Sequence, residues 1–300
     1  MSGLSRNPDK LGAFMALRPT MLAALVCLLV PAVHAAKKAS CTFITFDAPS
    51  GYTLNDVEGI ADDGTVVGQL IDNKTQNMVG FMRSQSGDFT VYTAPKSSMT
   101  WLYQQNATGT SSGSFMDSKA KVHGLTLVNG NFTQIDYPGA ANTWVFGVNH
   151  VGALTGSYGG NGSVNGFLLV NLNYTKIAYP KGAVTYPMAV NDNNAVVGSS
   201  MTGPVSSGFL WQNGNFTTIN YPGSKYGTEL TGINNSGTIV GNRISADKAF
   251  AFLYANGSFE SIVYDGAKFE LVGGINNNGV VSGQIYMTGT TSMGYTATCK

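Results

Sequence analysis

Short runs of β-branched and aromatic residues recur along the chain, and turn-forming residues separate them. In residues 232–241 two apolar stretches flank the turn sequence Asn-Asn-Ser-Gly, and similar segments cover residues 59–68 and 274–283. Apolar runs of four to eight residues that are bounded by Gly, Asn and Pro are typical of strands. Asn and Gly also tolerate the positive φ of tight hairpin turns. The pattern therefore predicts antiparallel hairpins.

These hairpins belong to a longer repeat of roughly 42 to 46 residues. A run of the type Phe-Thr-x-Ile begins six copies, at Phe43, Phe89, Phe132, Tyr174, Phe216 and Phe259. Each copy holds four short strand-like runs. Four antiparallel strands in about 40 residues are typical of a propeller blade, whereas a β-helix has shorter rungs. The sequence predicts an all-β, six-bladed β-propeller with four antiparallel strands per blade.

The phase of the repeat predicts how the ring closes. The Gly-Ile-Asn run is expected to be innermost, where small residues let six blades converge, and the Phe-Thr-x-Ile run outermost. The chain has an outermost-type run at residues 41–48 and ends with a third-type run at residues 294–299. The last blade is therefore predicted to combine three C-terminal strands with one N-terminal strand, a 3+1 closure.

The first 35 residues are predicted to be a signal peptide, which leaves residues 36–300 as the propeller domain. Three basic residues precede an apolar run over residues 21–30, and a small-residue cleavage signal ends at Ala35. A retained anchor is the alternative, but the run is short for a membrane span. The prediction is a protein that is secreted, periplasmic or on the cell surface, without stable membrane insertion after cleavage.

Cleavage would leave two cysteines, Cys41 and Cys299, in an oxidising compartment. Aligned on the fifth copy, they replace Asn213 and Gly214, the turn that joins the third and fourth runs elsewhere. We therefore predict a Cys41–Cys299 disulfide at the point where the ring is cut.

The composition of the chain argues against several classes of function. The chain is 43% hydrophobic and 11% charged, which is too apolar for disorder. The formal net charge is +1 and no basic block occurs, so the sequence predicts no nucleic-acid partner. Histidine is scarce and no Cys/His cluster exists, so no metal and no cofactor are expected. The protein is expected to be a monomer.

At the repeat residues the chain resembles the bacterial extracellular HAF-repeat proteins, a family named for a His-Ala-Phe tripeptide in the third run. The resemblance covers nearly all of residues 36–300 and rests on the Gly-Ile-Asn-Asn-x-Gly-x-Val-Val-Gly pattern. The tripeptide itself is degenerate, since only His123 keeps the histidine and only Ala251 and Phe252 keep Ala-Phe. The resemblance implies export and a repeat fold, and it implies no catalytic residues.

Residues 109–113 match the G-x-S-x-G nucleophile elbow, which requires a sharp turn between a strand and a helix. In the repeat these residues align with residues 64–68, which places Ser111 at the position of a buried valine within a strand. The degenerate second copy of the repeat therefore explains the match, and no catalytic residue is predicted.

The strongest functional signal is one repeat position just before each predicted innermost strand. Large aromatic residues occupy it in three successive copies, and acidic residues occupy it in the copies on either side. Flat rings stack on sugars or other apolar faces, and carboxylates accept hydroxyl hydrogen bonds. The alternative is that the rings fill wedges between blades. The predicted ligand-binding residues are Asp56, Glu58, Trp101, Trp144, Tyr186 and Glu229.

The sequence favours a secreted binding module whose ligand is a polysaccharide, a cell-envelope glycan or another extracellular molecule. An extracellular propeller hydrolase or lyase is the alternative, and it would need a paired acid and base from Asp56, Glu58 and Glu229. A structural surface protein without a catalytic site is the third possibility. Fold analogy does not separate these classes, because function resides in the site.

Overall fold

The computed structural model describes residues 37–160, 163–180, 184–245, 249–287 and 292–300. All regular secondary structure in these ranges is β-strand, which confirms the all-β class that the sequence predicts. None of the described residues forms a helix long and apolar enough to cross a membrane. The predicted signal peptide, residues 1–35, lies outside the described residues.

Two strands precede the repeat, β1 (Lys37–Lys38) and β2 (Cys41–Phe46). The first group contains β3 (Tyr52–Ile60), β4 (Val66–Asp72), β5 (Met78–Arg83) and β6 (Phe89–Tyr92). The second contains β7 (Ser97–Gln105), β8 (Thr110–Asp117), β9 (Val122–Val128) and β10 (Asn131–Ile135). The third contains β11 (Asn142–Val148), β12 (Leu154–Gly160), β13 (Ser163–Val170) and β14 (Asn173–Ile177).

The fourth group contains β15 (Val184–Val190), β16 (Val196–Thr202), β17 (Val205–Gln212) and β18 (Asn215–Thr218). The fifth contains β19 (Thr228–Ile233), β20 (Ile239–Ile244), β21 (Ala249–Ala255) and β22 (Ser258–Ser261). The sixth contains β23 (Phe269–Ile275), β24 (Val280–Tyr286) and β25 (Ser292–Cys299).

Within each group, strands that are consecutive in the chain pair antiparallel, in the order that the repeat predicts. The sixth group takes its fourth strand from the start of the described chain, because β2 pairs antiparallel with β25. Three C-terminal strands and one N-terminal strand therefore share one sheet. Strand β1 was not predicted: it pairs in parallel with β22 and extends the fifth group.

Five of the six hydrophobic clusters in the described residues combine buried side chains of two neighbouring groups. One cluster packs Leu102 and Leu125 of the second group against Val67 of the first. Another packs Phe46 of the sixth group against Val57 and neighbouring residues of the first. Each interface removes apolar surface from water, and burial of that surface contributes about 25 cal/mol per Å². The groups therefore stabilise one another in a closed sequence.

In the first, third and fifth groups a glycine in the second strand makes room for a phenylalanine in the third strand. The Phe167 side chain is fully buried, and a Cβ on Gly156 would collide with its ring and with the Trp144 carbonyl oxygen. Gly241 has the same relation to Phe252 in the fifth group. The Gly residues of the repeat are thus required by close approach.

Five of the six innermost strands carry a β-bulge followed by Gly or Ala, and in β7 the residue after the bulge is Gln104. In β11 the register shifts between Val145 and Gly147, and a Cβ on Gly147 would lie about 3.1 Å from the Cα of Ala189 in the next group. Gly274 of the sixth group approaches Gly59 of the first in the same way. Small residues therefore let the backbones converge, as predicted.

Asparagines in the turns after the innermost strands join the groups in a ring. Each Nδ2 donates to a backbone carbonyl of the next group: Asn106 to Asn149 (2.8 Å), Asn149 to Asn191 (3.0 Å), Asn191 to Asn234 (3.1 Å), Asn234 to Asn276 (3.3 Å) and Asn276 to Ala61 (2.9 Å). Each Oδ1 also accepts backbone N–H groups of its own turn. Ala61 lacks the amide, so this ring has one gap.

The Cys41–Cys299 disulfide that the sequence predicts is confirmed. The two cysteines are cross-strand partners in β2 and β25, with their Cα atoms 4.1 Å apart. The bond closes a loop of 258 residues.

We predict that Asn191→Ala lowers the free energy of unfolding by about 2 to 3 kcal/mol, since it leaves buried backbone groups of two adjacent groups without partners. Asn191 is 5% exposed and bonds to both turns. Asn193→Ala is the matched control, because its side chain is exposed in the same turn. Urea unfolding measures both variants. Equal midpoints would contradict a bridging role for Asn191.

We predict that replacing both Cys41 and Cys299 by Ala lowers the free energy of unfolding by about 5 kcal/mol, because the unfolded chain regains the entropy of an open loop. Non-reducing digestion and mass spectrometry of the wild-type protein should recover a peptide that contains both cysteines. Two free thiols in folded wild-type protein, or a double variant of unchanged stability, would refute this role.

Candidate functional site

The predicted site residues lie on the innermost strands, five of them at one register level, with Glu58 as the bulged residue of β3. Their cross-strand partners occupy equivalent positions in the second strands: Asp56 pairs with Gln69, Trp101 with Ser114, Trp144 with Ser157, Tyr186 with Ser199, and Glu229 with Asn242. The structure corrects one detail, since these positions lie inside the innermost strands rather than before them. The reason is that pairing with the second strand continues past the bulge. We refer to this end of the innermost strands as the candidate mouth.

The three aromatic residues of the candidate mouth do not belong to the packed core. Trp101, Trp144 and Tyr186 are half-buried, and none of them is a member of the hydrophobic clusters between groups. Their strand neighbours Leu102 and Val145 are fully buried in those clusters. Because side chains alternate along a strand, the aromatic residues lie on the opposite face. The hydrophobic clusters between groups are therefore built from the alternate residues of these strands.

A second layer of aromatic rings was missed by the sequence reasoning. Tyr103 and Phe146 are the bulged residues of their strands, and their ring centroids lie 5.0 Å apart in an edge-to-face arrangement. Phe146 also contacts Tyr186, at 6.4 Å between centroids. These contacts connect the second, third and fourth groups. The spacing could have found them, since they follow Trp101 and Trp144 by two residues, as Glu58 follows Asp56.

The two carboxyl groups of the first group lie in a desolvated environment. Burial raises the pKa of Asp56 to about 6. Burial, together with the negative charge of Asp56, raises the pKa of Glu58 to about 8, although a hydrogen bond from Gln69 opposes that shift. Tyr103 belongs to the same cluster, because its own burial and then the charge of Glu58 raise its pKa. The structure thus brings together Asp56, Glu58 and Tyr103.

Glu229 stands on the other side of the aromatic residues, in the fifth group. Burial raises the pKa of its carboxyl group. Among the described residues, its side chain takes part in no hydrogen bond or ion pair. The structure therefore places it at the same register level as Asp56 without direct contact between the two.

A polar depression occupies the opposite end of the innermost strands, at the asparagine ring, and it includes none of the predicted site residues. Its side chains are used to hold the ring together. The backbone N–H of His150 donates to Asp192 at 2.8 Å, and Asn277 donates to Asp62 at 2.9 Å. Because these polar groups already pair with one another, we assign this end a structural role.

Two other sequence motifs have structural explanations. Ser111 lies fully buried in β8 opposite Gln105, so residues 109–113 do not form a nucleophile elbow. His123 lies between two carboxylates, with Nδ1 2.9 Å from Asp136 and Nε2 3.5 Å from Asp117. No cluster of three or more His, Cys, Asp or Glu side chains suited to a metal ion occurs in the described part of the chain.

Comparison with solved structures identifies the architecture. The chain is similar to TolB from Acinetobacter baumannii, with a TM-score of 0.58, 12% identity, and coverage of 77% of this chain and 63% of that one. A putative gluconolactonase gives a TM-score of 0.53, 13% identity, and coverage of 88% and 94%. A mutant of Aleuria aurantia lectin, in complex with alpha-methyl-L-fucoside, gives a TM-score of 0.50 and 10% identity. The match covers 87% of this chain and 93% of the lectin chain. The fold is a β-propeller.

Identities this low establish the fold of this propeller and nothing about its ligand. No protein-family profile matches the chain, and no curated protein matches it. The residues of the candidate mouth are therefore the basis on which a function can be inferred.

We predict that Trp144→Ala lowers the free energy of unfolding by only about 1 kcal/mol, because the ring is half-buried and lies outside the core clusters. Phe167→Ala, at a fully buried position in the same group, should cost about 3 to 5 kcal/mol. Thermal melting of both variants provides the measurement. An equally large loss for Trp144→Ala would assign its ring to packing between blades.

We predict that Glu58→Gln becomes more stable than the wild type as the pH rises. The pKa of Glu58 in the folded state, about 8, lies above its ordinary value of 4.5. Between pH 4.5 and about pH 8 the folded state therefore retains a proton that the unfolded chain releases. The free energy of unfolding of the wild type falls as the pH rises through this range. Glutamine does not ionise, so the Tm difference should be several degrees at pH 8 and close to zero at pH 4. Parallel Tm curves from pH 4 to pH 8 would contradict the burial of this carboxyl group.

Proposed function

We propose that this chain is an exported six-bladed β-propeller that acts as a glycan-binding module, with its ligand at the candidate mouth. The observation that carries the proposal is the placement of Trp101, Trp144 and Tyr186. Three adjacent groups present half-buried rings at one register level, outside the packed core. Rings of this kind supply flat apolar surfaces on which sugar rings stack.

The acidic residues supply the polar contacts that such a site needs. Asp56 and Glu58 lie on one side of the aromatic residues and Glu229 on the other. Carboxylates accept hydrogen bonds from sugar hydroxyl groups, and a few polar groups around an apolar surface fix the orientation of a ligand. A sugar chain that crosses the mouth would meet aromatic faces flanked by hydrogen-bond acceptors.

The blade count and the export route belong to this proposal. Six antiparallel groups of four strands, with packing between the sixth group and the first, support six blades. A disulfide is the usual mark of an oxidising compartment, which supports secretion or residence in the periplasm or on the cell surface. The resemblance to HAF-repeat proteins agrees with both. One protein of similar fold, the Aleuria aurantia lectin, was solved with a fucoside bound.

A hydrolase or lyase is the second candidate, and the Asp56–Glu58 pair is the observation that favours it. The pKa of Glu58 lies near 8 and that of Asp56 near 6, so at neutral pH one carboxyl group retains a proton while the other is ionised. Two carboxyl groups in different protonation states can act as general acid and general base. Release of reducing ends from a bound glycan, abolished by Glu58→Gln, would favour this candidate.

We predict that the protein from residue 36 onward binds a subset of glycans on an array and that Trp144→Ala weakens this binding at least tenfold. A stacked ring contributes about 1 kcal/mol or more to binding, and 1.4 kcal/mol corresponds to a factor of ten. Leu172→Ala is the control, because Leu172 is 91% exposed on an outer turn of the same group. Calorimetry on the best array ligand measures the affinities. Absence of any array signal, or equal affinity of Trp144→Ala and wild type, would refute the proposal.

A further inference from the structure

The charges of the innermost strands are all of one sign. These six strands contain four acidic residues and no Lys, Arg or His. Three of the acidic residues, Asp56, Glu58 and Glu229, are at the candidate mouth. The fourth, Glu270, is 4% exposed and alternates with the mouth position Leu271, so it faces the neighbouring group. The candidate mouth is therefore acidic without a compensating cation on its own strands.

The three carboxylates have no cationic partner among the described residues. No ion pair involves them, and their polar contacts are with the amides of Asn55 and Gln69. Burial raises the pKa of all three, which reflects the cost of holding negative charge there without a counter-charge. A ligand that carried positive charge would remove that cost.

An orphaned acceptor lies at the same level. Gln284 is the cross-strand partner of Leu271, the mouth position of the sixth group, and cross-strand partners share a face of the sheet. Its side chain is 2% exposed, and its buried Oε1 atom accepts no hydrogen bond. The equivalent residues Gln69 and Asn242 use their amides to bond the innermost strand of the next group. By equivalence the Gln284 side chain faces β3, the strand of the first group that carries Asp56 and Glu58, and it adds an uncompensated acceptor beside these acidic residues.

The aromatic residues favour the same kind of ligand. A ring face carries partial negative charge and attracts an ammonium group within about 6 Å of its centroid. Trp101, Trp144 and Tyr186 line the mouth, with Tyr103 and Phe146 beneath them. Neutral sugars do not require three desolvated acidic side chains, and those that are ionised would repel anionic sugars.

We infer that the candidate mouth selects amino sugars with free ammonium groups, which the acidic side chains and the aromatic faces bind together. This inference rests on the proposed function, because it names the chemical class of the glycan at the same site. The ligand would be a partly or fully deacetylated amino-sugar polymer. Its N-acetylated counterpart has the same backbone and lacks the charge.

The experiment compares oligomers of glucosamine and of N-acetylglucosamine of equal length by calorimetry at low ionic strength. We expect the glucosamine oligomer to bind at least tenfold more tightly. The double variant Asp56→Asn/Glu58→Gln should abolish this preference, and added salt should reduce it through screening. A thermal melt of the double variant verifies that it remains folded, and Glu229→Gln tests the opposite side of the mouth independently.

The outcomes separate the inference from the proposed function. If both oligomers bind equally and Trp144→Ala weakens both, the glycan-binding function stands and the charge preference is overturned. If neither oligomer binds, the inference is overturned. The array then decides the proposed function: binding of another glycan that Trp144→Ala weakens leaves that function standing, and absence of any array signal refutes it as well.

Discussion

A four-stranded sheet of this repeat cannot bury its apolar residues by itself, and the whole molecule follows from that constraint. Most hydrophobic clusters draw buried side chains from two neighbouring groups, such as Val67 with Leu102 or Phe46 with Val57. An open row of such sheets would leave one apolar face exposed at each end. Closure of the ring removes both faces, and strand β2, the disulfide and the asparagine ring all serve that closure.

The same constraint creates the candidate site. Convergence of the sheets near the axis requires small residues such as Gly147 and Gly274 and a bulge before them. The bulge removes one residue per strand from the ladder, and in three groups this residue is Glu58, Tyr103 or Phe146. Packing between blades depends on the alternate residues. The mouth positions are therefore free to differ among groups, and they carry acidic, aromatic and aliphatic side chains around one ring.

Periodicity explains what the sequence could and could not predict. Strand types, their order and the disulfide followed from comparison of copies, because equivalent residues occupy equivalent positions. Tyr103 and Phe146 escaped notice because a bulge is a register effect between two strands. The sequence predicted only that the asparagines form tight turns. In the structure Asn149 also donates a hydrogen bond to Asn191 of the next group, because residues one repeat apart become neighbours in a ring. Strand β1 lies outside the repeat, so no copy could reveal its parallel pairing with β22.

The pairing of Cys41 with Cys299 has a topological consequence. The two residues occupy the place of a hairpin turn, Asn213–Gly214 in the fourth group, and they continue the same antiparallel ladder. The same antiparallel pairing therefore forms whether the two strands are joined by a turn or are the two ends of the chain. A gene that joins residue 299 to residue 41 through a short Asn-Gly linker, and opens the chain at residues 213 and 214 instead, would omit β1 and encode the same contacts among strands β2 to β25 in rotated order. Assembly of the ring thus depends on the neighbours of each blade and not on which blade is synthesised first.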